Sequence, residues 1–163
     1  MLAVYMIPKI YVFDHHQPGF DKTSKHFGLD YNIPLSSAGL VYMHFGKEII
    51  KILAPEVLPE DVLNIIWKKI YQCIILEIDA IDNGIECSEE MYKIRTHLSA
   101  RISRLNPNWT NSKECDSNTQ FYKAMELAGK EFLEQVEYFT RQWWPARKFV
   151  EEAFQQQKVY TFF

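Results

Sequence analysis

A chain of 163 residues, 47% hydrophobic and 24% charged, has the material for one globular domain with a buried core, which excludes intrinsic disorder and collagen-like structure. With Lys and Arg at 18 against 21 Asp and Glu, the net charge of −3 disfavours a non-specific nucleic-acid binder, and an anionic partner has to be met by a local basic patch. Three cysteines without a CxxC pair support neither a disulfide framework nor a cysteine zinc ribbon, which points to a reducing compartment.

The first segment, MLAVYMIPKIYVF, is apolar but interrupted by Pro8 and Lys9, and no small-residue cleavage site follows it, so it does not read as a signal peptide. No stretch approaches the ~18 consecutive apolar residues of a membrane span, and no membrane partner is expected. Residues 9–14, KIYVFD, read as a short strand that stops at the polar turn HHQPG. Residues 21–34 read as an irregular loop. A helix is signalled at Ser36-Ser37, with Leu40, Val41, Phe45, Ile49, Ile52 and Leu53 as its buried face and Pro55 and Pro59 beyond its end. A longer helix is predicted from Pro59-Glu60, striped by Val62, Ile66, Ile70, Ile74, Ile78 and Ile81 and stopped at Asn83-Gly84. LSARISRL at 98–105 reads as a short helix closed by Asn106-Pro107, followed by a polar loop whose Asn108-Trp109-Thr110 matches a glycosylation sequon only formally. A third long helix is predicted from 116–118, with Phe121, Met125, Ala128, Phe132, Val136 and Phe139 as its stripe. Beyond Trp143-Trp144, Pro145 either kinks it or opens a further helix carrying Phe149, Val150, Ala153 and Phe154. Helices dominate, and because one strand cannot make a sheet, the chain reads as part of a larger α/β unit.

Asp14-His15-His16 sets a carboxylate beside two imidazoles, suited to a divalent metal or to acid–base hydrolysis; the alternative is a pair of rings that cap and pack a turn. Asp79 and Asp82, three apart, share one helix face near its C-terminus, where charge repulsion and the helix dipole both oppose them unless a cation is near. Asp-Asn-Gly is also an ordinary helix terminator. Between Tyr92 and Lys113 lie Lys93, Arg95, Arg101, Arg104 and Lys113 without an acid among them. Arg101 and Arg104 on one face suit a phosphate, and Tyr92 and Trp109 suit base stacking, against a reading of solvated cations and a core Trp. Ser36 and Ser37 read as helix caps rather than nucleophiles, and Gly39 as a point of close helix approach or of backbone N–H groups open to an anion.

FDHHQPGF at 13–20, LSSAGLVYMHFGKEII at 35–50, EIDAIDNG at 77–84 and LSARISRLNPNW at 98–109, taken in order, resemble the Myg-type (melanocyte proliferating gene) exonucleases, a branch of the DHH phosphoesterase superfamily. The resemblance implies an α/β fold, here mainly α-helical with one or a few short strands. It covers residues 1–157 as a partial phosphoesterase domain, with 158–163 as a divergent tail. It further implies a Mn2+- or Mg2+-dependent phosphodiesterase acting as a 3′–5′ RNA exonuclease in nucleus and mitochondrion. By resemblance His15 is a metal ligand, His16 contacts the phosphate or the nucleophile's surroundings, Asp14 orients the pair, and Asp79, ahead of Asp82, is a further metal ligand. The family's HNGxFHxDE and VDVGG motifs, which supply the other ligands, have no counterpart here, nor does the family's second domain. Pro18 and Pro34 stand where the family often has cations, and His97 precedes LSAR. The expectation is therefore a truncated chain, inactive alone, that self-associates through its exposed strand. A non-catalytic binding module derived from the family is the alternative, and a mononuclear histidine–carboxylate protein is a third reading.

Overall fold

The computed structural model describes residues 12–85, 94, 96–106 and 116–160. Among them the architecture is helical: α1 (Ser37–Leu53), α2 (Glu60–Ile70), a π-helical turn (Tyr71–Ile75), α3 (Leu76–Asp82), α4 (Leu98–Ser103), α5 (Ser117–Tyr138), a second π-helical turn (Phe139–Trp143) and α6 (Trp144–Tyr160). The mainly helical expectation is met. Of the expected strand 9–14, residues 9–11 lie outside the described residues and 12–14 form no strand; the one isolated bridge among the described residues joins Thr23 to Pro34. No second extended segment lies there to pair with it.

The HHQPG turn closes through Phe20 N–H on Gln17 C=O at 3.0 Å, with Pro18 fixing the first central position and Gly19 supplying the left-handed second one, φ 80°. The stretch 21–34, expected to be irregular, carries a 3-10 turn at Ser24–Phe27, and the buried Ser24 hydroxyl donates to Tyr31 C=O at 3.0 Å. Ser36 caps α1 as expected, its Oγ accepting from Gly39 N–H at 3.0 Å.

The buried face of α1 differs from the apolar stripe. It is Gly39, Tyr42, Gly46 and Ile50, while Ile52 is 75% exposed and Val41 also faces out. The two glycines let the helix lie close against α2 and α3, which fixes its rotation. A methyl at Gly46 would stand 2.9 Å from the Tyr42 ring and 3.0 Å from Trp67 Nε1. Tyr42 in turn donates to Trp67 C=O at 2.8 Å, and the two rings are parallel to within 1°. Around them Leu63, Ile66, Ile70 and Tyr71 are fully buried, each aliphatic side chain contributing roughly 1.5–3 kcal/mol.

α2 and α3 are the predicted single long helix, interrupted by the π turn, where Leu76 N–H reaches back five residues to Tyr71 C=O. A π turn absorbs one extra residue, so the core face advances by one position after it. Asp79 is buried there, and Ile81, expected in the stripe, is 43% exposed. The helix ends as predicted at Asn83-Gly84: Ile85 N–H bonds Ala80 C=O at 2.9 Å and Gly84 N–H bonds Ile81 C=O at 3.0 Å.

Asp116 caps α5, its Oδ2 accepting from Thr119 N–H at 2.9 Å. The second π turn carries the chain into α6 without a break, and Pro145, which lacks the N–H an interior helical position needs, sits in the first turn of α6. Only the middle of this long element meets the core, through Val136, Phe139 and Thr140. Phe121, Met125, Phe149, Val150 and Phe154, expected in apolar stripes, are exposed. No helix among the described residues is long and apolar enough to cross a membrane.

Candidate functional site

The N-terminus of α1 meets the C-terminus of α3, and the residues joining them are those the sequence singled out for chemistry. Asp79 is fully buried. Its Oδ1 accepts from Ser36 N–H at 2.9 Å and from Ser36 Oγ at 2.7 Å, and its Oδ2 accepts from the Tyr71 hydroxyl at 2.8 Å. Burial pushes the Asp79 carboxyl above its ordinary value; the Ser36 and Tyr71 hydrogen bonds pull the other way, and the charge of Asp82 adds to the rise. The Tyr71 hydroxyl is pushed up as well, by burial first and by the Asp79 charge second. Asn83 braces the same junction, donating from Nδ2 to Pro34 C=O at 2.9 Å and to Asp79 C=O at 2.8 Å.

One residue beyond Ser36, the Ser37 backbone N–H donates to His15 Nδ1 at 3.0 Å, and Ser37 Oγ lies 2.9 Å from the same nitrogen. A nitrogen that accepts from a backbone amide carries a lone pair, so the proton of the neutral ring sits on Nε2. That nitrogen is 2.9 Å from Asp82 Oδ2, with the His15 side chain 11% exposed and that of Asp82 43%. The His16 ring lies over that of His15, centroids 3.9 Å apart, and faces solvent. Asp14 Oδ1 accepts from His16 N–H at 2.9 Å and so holds the backbone of the histidine pair.

Of the two aspartates on the α3 face, Asp82 is therefore the one that meets His15, while Asp79, placed first by the family resemblance, faces inward to Ser36 and Tyr71. Ser37, Tyr71 and Asn83 are parts of the arrangement that sequence reasoning does not assign to it; the Asn83-Gly84 pair signals only a helix stop. Arg101 is turned to α5, where its Nη1 is 2.8 Å from Glu131 Oε2, and Arg104 is exposed at the end of α4. Tyr92, Lys93, Arg95, Trp109 and Lys113 lie outside the described residues.

His15 and Asp82 offer one nitrogen and one oxygen donor, a mixture that suits a divalent first-row ion. The 2.9 Å between them is that of an N–H···O hydrogen bond, and with Nδ1 accepting from Ser37 N–H the His15 ring as held donates from Nε2 to Asp82, so it serves as an ion ligand only once that proton has left Nε2. Among the described residues no group of three or more His, Cys, Asp or Glu side chains converges.

The family model for the MYG1 exonucleases, described as an uncharacterised protein family (UPF0160), matches residues 5–161. The MYG1 exonuclease of Rattus norvegicus is 40% identical over 154 residues, 91% of this chain and 40% of that protein. The MYG1 protein of Dictyostelium discoideum is 38% identical over 161 residues, 96% of this chain and 47% of that protein. The MYG1 protein YER156C of Saccharomyces cerevisiae is 32% identical over 151 residues, 86% of this chain and 44% of that protein. The chain thus spans less than half the length of the curated relatives it matches, and no solved structure matches it. A family match over residues 5–161, with relatives from yeast to rat at 32–40% identity over most of the chain, makes this chain a member of the MYG1 exonuclease family.

Proposed function

We propose that this chain is the helical part of a DHH-type α/β phosphoesterase domain, and that it contributes to a metal-dependent phosphodiesterase that removes nucleotides from the 3′ end of RNA in nucleus and mitochondrion. The observation that carries the reading is the convergence of His15 Nε2 and Asp82 Oδ2 at 2.9 Å, with the two side chains supplied by motifs far apart in the chain. The name exonuclease borne by the rat relative supports the reaction class. His15 and Asp82 would hold Mn2+ or Mg2+ once Nδ1 is released from the Ser37 N–H and the ring's proton has moved there from Nε2, with further donors needed from elsewhere. When bound, such an ion lowers the pKa of water and offsets the charge that develops on the phosphate.

The chain's own residues then have distinct tasks. Ser37 fixes the His15 ring by its Nδ1, leaving Nε2 directed at Asp82. His16, exposed beside that ring, is assigned to phosphate contact, and Asp14 accepts from its backbone N–H. Arg101 on α4 and Arg104 at its C-cap are assigned to phosphate contact, for which Arg101 has to exchange Glu131 for the substrate.

The test is Mn2+ titration of this chain by electron paramagnetic resonance, together with degradation of a 5′-labelled single-stranded RNA. The reading expects Mn2+ binding that His15→Ala and Asp82→Asn each weaken at least tenfold, with any RNA shortening lost in both variants. Mn2+ binding without RNA cleavage would favour a non-catalytic binding module. Absence of binding to the intact chain would remove the ion-facing role of the pair.

A further inference from the structure

The loop that joins α1 to α2 and the start of α6 face one another across a cavity of about 520 Å3. α1 is 17 residues long, so at about 1.5 Å per residue this loop lies roughly 25 Å along the helix from Ser37 and the DHH turn. On the loop side the lining is apolar apart from Glu56, and Pro55 and Pro59, with fixed φ and no N–H, keep the loop out of the helices on either side. On the opposite side stand Arg141 from the second π turn and Trp144 and Lys148 from α6. Thr140, also on the lining, already donates its hydroxyl to Val136 C=O at 2.8 Å.

From Phe139 to Val150 the sequence FTRQWWPARKFV holds Arg141, Arg147 and Lys148 and no acid, in a chain of net charge −3. Arg147 is engaged: its Nε is 2.7 Å from Glu151 Oε1 and its guanidinium lies over the Trp143 ring. Arg141 and Lys148 are the two that line the cavity. Arg141 has a loose, exposed partner in Glu137 at 3.8 Å, and Lys148 forms no ion pair among the described residues. Trp144 lies between them at steps of three and four, partly buried against the core. An indole flanked by two exposed cations, in a cavity of this size, matches one nucleotide of a single strand: the ring stacks a base and the cations meet the phosphates on either side of it. Glu56 disfavours a free phosphate, whose charge it repels, and suits the N–H and O–H donors that a base and a ribose bring.

We propose that this cavity is a contact for single-stranded RNA at the far end of α1 from the DHH turn, seating one nucleotide on Trp144 between Arg141 and Lys148. The kind of polynucleotide rests on the RNA-degrading reading above; the place rests on the cavity alone and involves no metal ion.

The experiment is binding of a fluorescein-labelled single-stranded decauridylate to the 163-residue chain in EDTA, followed by anisotropy, with a 4-thiouridine version cross-linked and mapped by mass spectrometry. Cross-links are expected within 55–59 and 140–148. Arg141→Gln and Lys148→Gln should each weaken binding about three- to fivefold and lower the slope of log K against log salt concentration by about 0.7, the share of one phosphate contact on a single strand. Trp144→Leu should weaken it about tenfold with the salt slope unchanged. Both cations are exposed, so the glutamine variants should melt with the parent, and they decide should Trp144→Leu not fold.

Parental affinity and slope in the chain carrying both Arg141→Gln and Lys148→Gln overturns the proposal, as does absence of RNA binding by the unmodified chain. Polyglutamate binding tighter than RNA and lost in that double variant also overturns it, and makes the cavity a site for an acidic peptide. RNA held at the cavity but not shortened when Mn2+ is added supports the proposal and refutes the catalytic reading; RNA shortened by a double variant that binds as the parent does refutes the proposal and supports that reading.

Discussion

Adding one methyl to this protein is expected to have opposite effects at two helical glycines. Alanine is favoured over glycine inside a helix by about 0.8–1 kcal/mol. At Gly129, on the exposed side of α5, a new Cβ would meet nothing within 4 Å, so Gly129→Ala should stabilise the fold by about 0.5–1 kcal/mol. At Gly39 the same methyl would overlap Asp79 Oδ1 and lie 2.8 Å from Cγ, so the carboxylate has to leave its seat. It then gives up hydrogen bonds from Ser36 N–H, Ser36 Oγ and Tyr71, each worth about 1.5–3 kcal/mol to a charged acceptor. Losing two of them costs about 3–6 kcal/mol, and the helix gain offsets about 1, leaving Gly39→Ala destabilised by about 2–5 kcal/mol. For a chain of this size that is a fall in Tm of about 5–15 °C, against a rise of about 1–4 °C for Gly129→Ala. Urea unfolding followed by circular dichroism at 222 nm measures both. A Gly39→Ala protein as stable as the unmodified one would refute the placement of the Asp79 carboxylate beneath the start of α1.

Tyr71→Phe should cost about 1–2 kcal/mol at neutral pH and push the Asp79 carboxyl still higher, because a donor to its ionised form is lost. Since the folded-state value already lies above the ordinary one, Asp79's contribution to stability is complete below the ordinary carboxylate range and is lost as pH rises through the raised value; urea midpoints for Tyr71→Phe should therefore approach those of the parent as pH falls toward 4. Asp116 behaves oppositely: hydrogen bonds from Thr119 first and Asn118 second hold its carboxyl below the ordinary value, so its capping stability is present above the ordinary range and lost as pH falls through the lowered value. Amide exchange at Thr119 should accelerate over that acid window, and Asp116→Ala should abolish the acceleration. Arg101→Met should cost only about 0.5–1 kcal/mol, because the pair with Glu131 is partly exposed, and the difference in urea midpoint should narrow in 0.5 M NaCl.

The helix starts and stops were legible because each is a local bargain between a side chain and nearby backbone. Ser36 capping Gly39, Asp116 capping Thr119 and the Asn83-Gly84 terminator involve residues within a few positions of one another. The buried faces were less legible, since they depend on what the helix packs against. On α1 the glycines, not the larger side chains, choose the face, so Ile52 is left outside while Gly39 and Gly46 go in. The chemistry of the DHH turn could be read from residue types alone. Which aspartate faces His15 could not, because the π turn at Tyr71–Ile75 shifts the phase by one position and no residue type announces it. Arg101 and Arg104 show the same limit: helical spacing groups them, but only the fold brings Glu131 to Arg101.

That wide turn leaves slack in the chain. A helix with one π turn holds a residue more than its length requires, and here the surplus falls among Gln72 and Cys73, both exposed. Removing either should let the segment tighten to ordinary helical spacing while Asp79 still reaches Ser36 and Asp82 still reaches His15. Removing Ala80 instead would turn Asp82 by ~100° away from its partner, with nothing downstream to absorb the change before the cap at Asn83. Length is therefore negotiable just upstream of Asp79 and fixed just beyond it, so a relative one residue shorter through the π turn should keep both contacts, and one shorter between Asp79 and Asn83 should not.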